Sequence, residues 1–139
     1  MDAWARLHRA GGSVLSRVEA KLKTAGYPPL SWYDVLLELR REPGHALRPG
    51  QIEKRILLAQ YNVSRLIDRI VAEGYARKRK AAEDGRGVFV QLTGKGAALL
   101  DEMWPVYQRA VHEVFADHLT DQDAKDLWRI LAKVVPEEG

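Results

Sequence analysis

Between Gly74 and Thr93 the spacing of apolar residues changes its period, and this change constrains the fold more than any other feature. Upstream, Val63, Leu66, Ile67 and Ile70 recur at the spacing of one helix face,. Downstream, Val88, Val90 and Leu92 alternate with Phe89 and Gln91, the period expected of a strand with one face buried,. Residues 75–80 fit a first strand, and the polar, glycine-bearing segment 81–87 fits the turn of a β-hairpin,. A helix over residues 60–73, stopped by Gly74 and followed at once by a hairpin, is the core of few folds,.

The flanking sequence narrows the choice. A first helix is expected over residues 3–24, with Trp4, Leu7, Val14, Leu15, Val18 and Leu22 at helical spacing,. Gly26 and Pro28-Pro29 end it, and Gly11-Gly12 weakens it locally by about 1 kcal/mol per glycine,. Ser31 reads as an N-cap, with Asp34 three residues on in a capping-box pattern,. The second helix, residues 32–41, turns Val35, Leu36 and Leu39 inward. Pro49 suits the first turn of a short third helix, residues 49–55, and Ile56-Leu57-Leu58 connects it to the fourth,. Thr93 caps a long helix over 94–118, which Pro105 is expected to kink or divide,. Thr120-Asp121-Gln122-Asp123 opens a last helix carrying Ala124, Leu127, Ile130, Leu131 and Val134 on one face, with Pro136 ending it,. The order α-α-α-α-β-β-α-α describes a mainly α domain with a small β-hairpin wing, a winged helix-turn-helix spanning residues 1–139.

Charge is distributed unevenly along the chain. Residues 48–95 hold 11 Lys+Arg against 5 Asp+Glu, a net of +6, while the remainder holds 11 against 14, a net of −3. On charge alone this is an ordinary solvated face; combined with the helix and hairpin it suggests a surface made for a polyanion. With no cysteine there are no disulfides and no thiolate chemistry,. No stretch approaches the ~20 apolar residues of a membrane span. The first residues lack the basic start and apolar run of a secretory signal, so a cytoplasmic location is expected,.

A helix that enters the major groove of DNA needs an apolar stripe to anchor it and an outer face of hydrogen-bonding groups and cations. Opposite its apolar stripe, the fourth helix offers Gln60, Tyr61, Asn62, Ser64, Arg65, Asp68 and Arg69. Asn and Gln can bond adenine through two hydrogen bonds, Arg can do so with guanine, and Ser, Tyr and Arg also hold phosphates. The hairpin adds the run Arg77-Lys78-Arg79-Lys80, of which Arg79 and Lys80 lie nearest the tip, and Arg86 beside two glycines. An arginine on a thin loop suits the narrow minor groove, and Asp84 is placed to orient Arg86 through an ion pair.

The stretch Asn62-Val63-Ser64-Arg65-Leu66-Ile67-Asp68-Arg69-Ile70-Val71-Ala72-Glu73-Gly74-Tyr75 resembles the recognition helix of MarR-family (multiple antibiotic resistance) regulators. Glu83-Asp84-Gly85-Arg86, followed by Val90-Gln91-Leu92-Thr93-Gly94-Lys95-Gly96, is similar to that family's Asp-x-Arg wing and Leu-Thr-x-x-Gly signature. The resemblance implies an obligate homodimer on a pseudo-palindromic operator, with the first, fifth and sixth helices interlocking between subunits. On this division 30–96 is the DNA-binding lobe, and 1–27 and 97–139 are dimerisation helices. It implies Tyr61, Asn62, Ser64 and Arg65 in the major groove and Arg86, steadied by Asp84, in the minor groove. It further implies a repressor released by a small aromatic or phenolic effector. For a pocket lined by the first, second and fifth helices, Trp4, Trp32 and Trp104 are candidate aromatic walls, with core packing the stronger reading of each. Two positions depart from the pattern: the third helix carries Pro49-Gly50, and Ala59 stands where the family often has a Ser or Thr cap.

The expectation of a dimer also stands without the resemblance. Trp4, Trp104, Tyr107, Phe115 and Trp128 are more aromatic surface than one small winged-helix core can bury, and a two-fold dimer is the commonest solution,. An enzyme is not expected: there is no phosphate-cradling glycine loop and no His-Glu-x-x-His pattern, and His8, His45, His112 and His118 are scattered,. No cofactor, metal or membrane partner is expected. The alternative to a DNA-binding regulator is a helical protein-interaction module of winged-helix shape, which would expose large apolar residues on the fourth helix.

Overall fold

The computed structural model describes residues 1–58, 62–81 and 87–135. Its elements are α1 (Asp2–Thr24), α2 (Leu30–Arg41), β1 (Ala46–Leu47), α3 (Pro49–Arg55), α4 (Val63–Ala72), β2 (Ala76–Lys80), β3 (Val88–Leu92), α5 (Gly94–Val114), a 3-10 turn (Ala116–His118) and α6 (Asp121–Leu131). The winged helix-turn-helix order is therefore as expected. One strand was not: β1 joins the hairpin as a third strand, in the order β1-β3-β2, all antiparallel. Two residues are too few to show alternation, so β1 leaves no periodic trace in the sequence.

The core lies where α2 crosses the sheet and the helices around it. Leu22 of α1, Leu30, Val35, Leu36 and Leu39 of α2, Leu47, Ile52, Ile67, Ile70, Val90, Leu100 and Met103 are all buried together. The pairing Ala76↔Leu92 and Lys78↔Val90 turns one face of the sheet toward this core, and Arg77↔Gln91 and Arg79↔Phe89 lie on the other,. α1 packs along α5, and α5 along α2.

Several boundaries differ from the sequence reading, each for a local reason. α2 begins at Leu30 and not after a Ser31 cap. The Leu30 N–H donates to both carboxylate oxygens of Glu19, at 3.2 Å each, so α1 supplies the cap and Ser31 falls inside the helix. Gly11 and Gly12 do not interrupt α1, and Pro105 does not divide α5. α5 stops at Val114 and gives way to the 3-10 turn, where the sequence suggested helix through His118. Thr93 caps α5 as expected, accepting from the Gly96 N–H at 3.1 Å. Thr120 caps α6, with reciprocal 3.0 Å bonds between Thr120 and Asp123,.

The Leu92-Thr93-Gly94-Lys95-Gly96 stretch joins wing to α5 by direct contact. Thr93 Oγ1 donates to the Gly74 carbonyl and Lys95 Nζ to the Glu73 carbonyl, both at 2.6 Å. A Cβ at residue 96 would stand 2.0 Å from the Tyr75 carbonyl oxygen, which explains why glycine is needed there. The end of α4 is thereby tied to the start of α5.

Candidate nucleic-acid interface

α4 is anchored from below by Val63, Leu66, Ile67 and Ile70, all buried. Its outer face presents Ser64, Arg65, Asp68, Arg69 and Ala72 to solvent, and no large apolar residue. The helix is three residues shorter at its start than the sequence suggested. Asn62 ends it by accepting the Arg65 N–H on its side-chain oxygen at 3.0 Å, satisfying a donor that has no partner inside the helix,. Gln60 and Tyr61 precede this cap and lie outside the described residues. Ser64, Arg65 and Arg69 remain exposed on α4, and Asn62 keeps its amide N–H2 available at the exposed N-terminus. A polar cleft of about 500 Å³, lined by Pro49, Gly50, Glu53, Asn62, Val63 and Ser64, separates the start of α3 from the start of α4.

The wing carries Arg77, Lys78, Arg79 and Lys80 along β2, all exposed. Lys78 turns toward α4 and pairs with Asp68 at 2.6 Å, which removes one cation from the outward-facing set. Arg79 and Lys80 stand on β2 as expected; Asp84 and Arg86 lie outside the described residues. Phe89, opposite Arg79 in the register, is approached by two guanidinium groups: Arg48 at 4.8 Å from the ring centre and Arg79 at 5.1 Å.

Sequence reading missed the residue that ties α4 to the core. Asp34 does not cap α2; it is buried within that helix and accepts the Leu58 N–H at 2.7 Å, from the connection between α3 and α4. The sequence signal was available: a carboxylate between Tyr33 and Val35, in a run of core residues, needs a partner to be buried,. Close by, Tyr33 and Tyr107 meet edge to face with ring centres 5.2 Å apart. Burial raises the Tyr107 hydroxyl above its ordinary pKa, and the charges of Asp34 and Glu19 raise it further. Burial likewise raises Tyr33.

An apolar groove of about 370 Å³ opens beside this cluster, with Val14, Val18, Leu58, Tyr107, Val111 and Leu131 in its walls. None of the three tryptophans proposed as pocket walls lines it. Trp32 instead packs edge-on against Tyr75, Trp4 stands largely in solvent, and Trp104 is half-exposed with its ring edge-on to Tyr107. Among the described residues no cluster of His, Asp and Glu is arranged to hold a metal ion.

These elements have counterparts among known proteins. Residues 25–87, covering α2 to the start of the wing's return strand, match the model of the MarR family. Over that stretch the chain is similar to the MarR family. The multiple antibiotic resistance protein MarR of Escherichia coli K12 is 28% identical over 90 residues, which take in 65% of this chain and 62% of that protein. The sequence match thus spans about three fifths of this relative's length. A MarR family transcriptional regulator from Streptomyces coelicolor, crystallised in complex with DNA, superposes with a TM-score of 0.85 at 25% identity, over 95% of this chain and 82% of that one. A mutant of E. coli MarR complexed with operator DNA shares the fold, with a TM-score of 0.83 at 23% identity over 98% and 95% of the two chains. The Streptomyces coelicolor protein and the Bacillus subtilis relative YkoM, 27% identical over 88% of this chain and 77% of that protein, are both named as transcriptional regulators.

Proposed function

We propose that this chain is a MarR family protein, a homodimeric, sequence-specific regulator that binds a pseudo-palindromic site on double-stranded DNA. The observation that carries the proposal is the two-sided character of α4. Its apolar residues are fully used in anchoring, and its exposed face holds only short polar and charged groups, beside a strand of four cations. A protein-interaction module would present large apolar side chains on that face. In the proposed complex Asn62, Ser64, Arg65 and Arg69, with Gln60 and Tyr61 upstream, address the major groove. Arg86, oriented by Asp84, enters the minor groove, with Arg79 and Lys80 at its margins. Residues 30–96 form the DNA-binding lobe, and 1–27 with 97–139 supply the dimer helices.

The dimer is supported by the surface of those helices. Trp4 is 66% exposed, Trp128 81% and Val134 69%, and no residue of α6 is buried. The same helices border the apolar groove. We assign repression to the protein, and release from DNA to a small aromatic effector seated in that groove, where Tyr107 supplies a hydroxyl at an apolar wall. Among the described residues no helix is long and apolar enough to cross a membrane.

Selection from a random duplex pool tests the proposal, followed by titration of the selected site against salt. The native protein is expected to lose affinity steeply as salt rises, because phosphate contacts release counterions. Arg65→Ala/Arg86→Ala is expected to abolish specific binding while leaving the fold intact, and Asn62→Ala to change preference at one base pair by about 1–3 kcal/mol. Salt-independent binding, or native affinity in the double variant, would overturn the reading. Compounds that release the selected duplex identify the effector class.

A further inference from the structure

Three successive carbonyls beyond the last turn of α4 are met by the cap and first turn of α5. The Glu73 oxygen accepts from Lys95 Nζ at 2.6 Å, the Gly74 oxygen from Thr93 Oγ1 at 2.6 Å, and the Tyr75 oxygen from the Thr93 N–H at 3.3 Å. Thr93 has a second duty, because its Oγ1 also caps its own helix by accepting the Gly96 N–H. The contacts of Lys95 lead to the end of α4. Its ammonium lies 4.8 Å from the centre of the Tyr75 ring, and Tyr75 packs edge-on against Trp32 of α2,. Among the described residues Lys95 forms no ion pair; a carbonyl oxygen and an aromatic face hold its charge.

The turn that leaves α4 is shaped to this side chain. Gly74 has φ +83, and the Lys95 Cδ passes 3.6 Å from the point that a Cβ there would occupy. The lysine stem thus lies across a glycine that the backbone itself requires. A cation at the C-terminal end of a helix also faces the negative end of the helix dipole.

The placement of this end matters at the other. α4 has 10 residues, which at about 1.5 Å per residue make a rod of about 15 Å. A tilt of about 4° about one end moves the far end by about 1 Å, against a tolerance of about 0.5 Å for a binding constellation. The start of α4 is set by Asn62 and, upstream, by Asp34 holding Leu58. Lys95 sets the other end, and sets it relative to α5, which packs along α1.

We propose that Lys95 is a positioning residue, which holds the end of α4 against α5, fixes the tilt at which α4 meets the bases, and touches no DNA itself. The inference rests on the duplex-DNA reading above. Sequence-specific binding needs one tilt, and its apparent affinity falls with the fraction of molecules that hold it. Non-specific binding through phosphates needs no such placement.

The test measures affinity of the full chain for its selected duplex and for a scrambled duplex of equal length, across a salt series, in the native protein, Lys95→Met and Lys95→Arg. Lys95→Met keeps the stem and removes the donor and the charge. It is expected to reduce the ratio of specific to non-specific affinity about three- to tenfold, with scrambled-duplex affinity, salt slope and the ranking of bases unchanged. Lys95→Arg, which can still donate to Glu73 and stack on Tyr75, is expected to recover most of the ratio. In NMR spectra of the native protein, the Lys95 methylene protons next to the ammonium are expected upfield of their ordinary position, shifted by the Tyr75 ring. That readout stands even if Lys95→Met loses its fold. A native ratio in Lys95→Met, with or without a loss of stability in urea, overturns the proposal and leaves Lys95 a stabilising contact only. A salt slope reduced by about 0.9 also overturns it, because Lys95 would then be holding a phosphate. So does a Lys95→Arg ratio no better than that of Lys95→Met, or an unshifted methylene signal. Each of these leaves the regulator reading standing. Duplex binding by the native protein that does not depend on salt overturns both.

Discussion

Helices α4 and α6 are close in length and each carries an apolar stripe at helical spacing, but they end in opposite states. In α4 the stripe Val63, Leu66, Ile67 and Ile70 is buried. In α6 no residue is buried; Leu127 and Leu131 are half-covered, and Ile130 and Trp128 face solvent. The difference lies in what surrounds them. α4 is held between α2, α3 and β2, whereas α6 follows a 3-10 turn at the end of α5. Amphipathicity thus tells that a helix has a partner and leaves open whether that partner belongs to the same chain. One stripe is completed by its own fold, and the other is available to a second copy.

Core truncation gives the largest expected contrast. Ile67→Ala in α4 is expected to cost about 2–5 kcal/mol in urea unfolding, the same at every protein concentration. Ile130→Ala in α6 is expected to change the stability of dilute protein by about 0.5 kcal/mol or less, and to raise the concentration needed for association in sedimentation. An Ile130→Ala penalty as large as that of Ile67→Ala, and independent of concentration, would break the comparison.

Asp34→Ala comes next. It leaves the Leu58 N–H without its acceptor in a part-buried site, at a cost of about 1–3 kcal/mol,. Because Leu58 leads toward α4, affinity for the selected duplex is expected to fall with stability, while Asp34→Asn, which retains an acceptor oxygen, recovers much of both. Equal duplex affinity in Asp34→Ala and native protein would show that α4 is positioned without this bond.

The helix caps sharpen the contrast on a smaller scale. Asn62→Ala and Thr120→Ala each remove a side-chain acceptor, for about 1 kcal/mol where the helix is anchored,. The full effect is expected for Asn62 in denaturant unfolding at all concentrations. For Thr120 it is expected only where the protein is associated; identical concentration dependence for the two would contradict that difference.

The smallest effect is on the pH dependence. Tyr107 has its hydroxyl raised above 10.0 by burial first, then by Asp34 and Glu19. The folded state therefore holds this proton longer than the unfolded chain does. Its contribution to stability is complete below pH 10.0 and is lost as pH climbs through the raised folded value,. Ultraviolet titration is expected to show late phenolate ionisation from Tyr33 and Tyr107, which Tyr107→Phe reduces by one tyrosine; an unchanged late component would place Tyr107 in an ordinary solvated setting.

Much of this architecture was legible because most of the elements announce themselves locally. The stripe of α4, the alternation of β3, and the Thr93 and Thr120 caps are patterns over a few residues, set by geometry that any context preserves. What was not legible depends on distant groups. Ser31 and Asp34 have the spacing of a capping box, but Glu19, eleven residues before Leu30, occupies the role and releases Asp34 to bind Leu58. The extent of α4 was overread because residues 60–62 are as polar as its outer face, and only Asn62's bond to Arg65 marks the boundary. The Arg48–Phe89–Arg79 row joins residues about forty apart in sequence through a strand of two residues. No local pattern foretells it.

Glu19 has a consequence for how the molecule can be taken apart. The first amide of α2 is satisfied by a carboxylate that arrives from another helix, so α2 does not own its own beginning. A fragment cut at residue 30 would start on an orphaned N–H and fray from there toward Asp34. The helix proposed to face a second subunit therefore supplies the end cap of the helix that opens the proposed DNA-binding lobe.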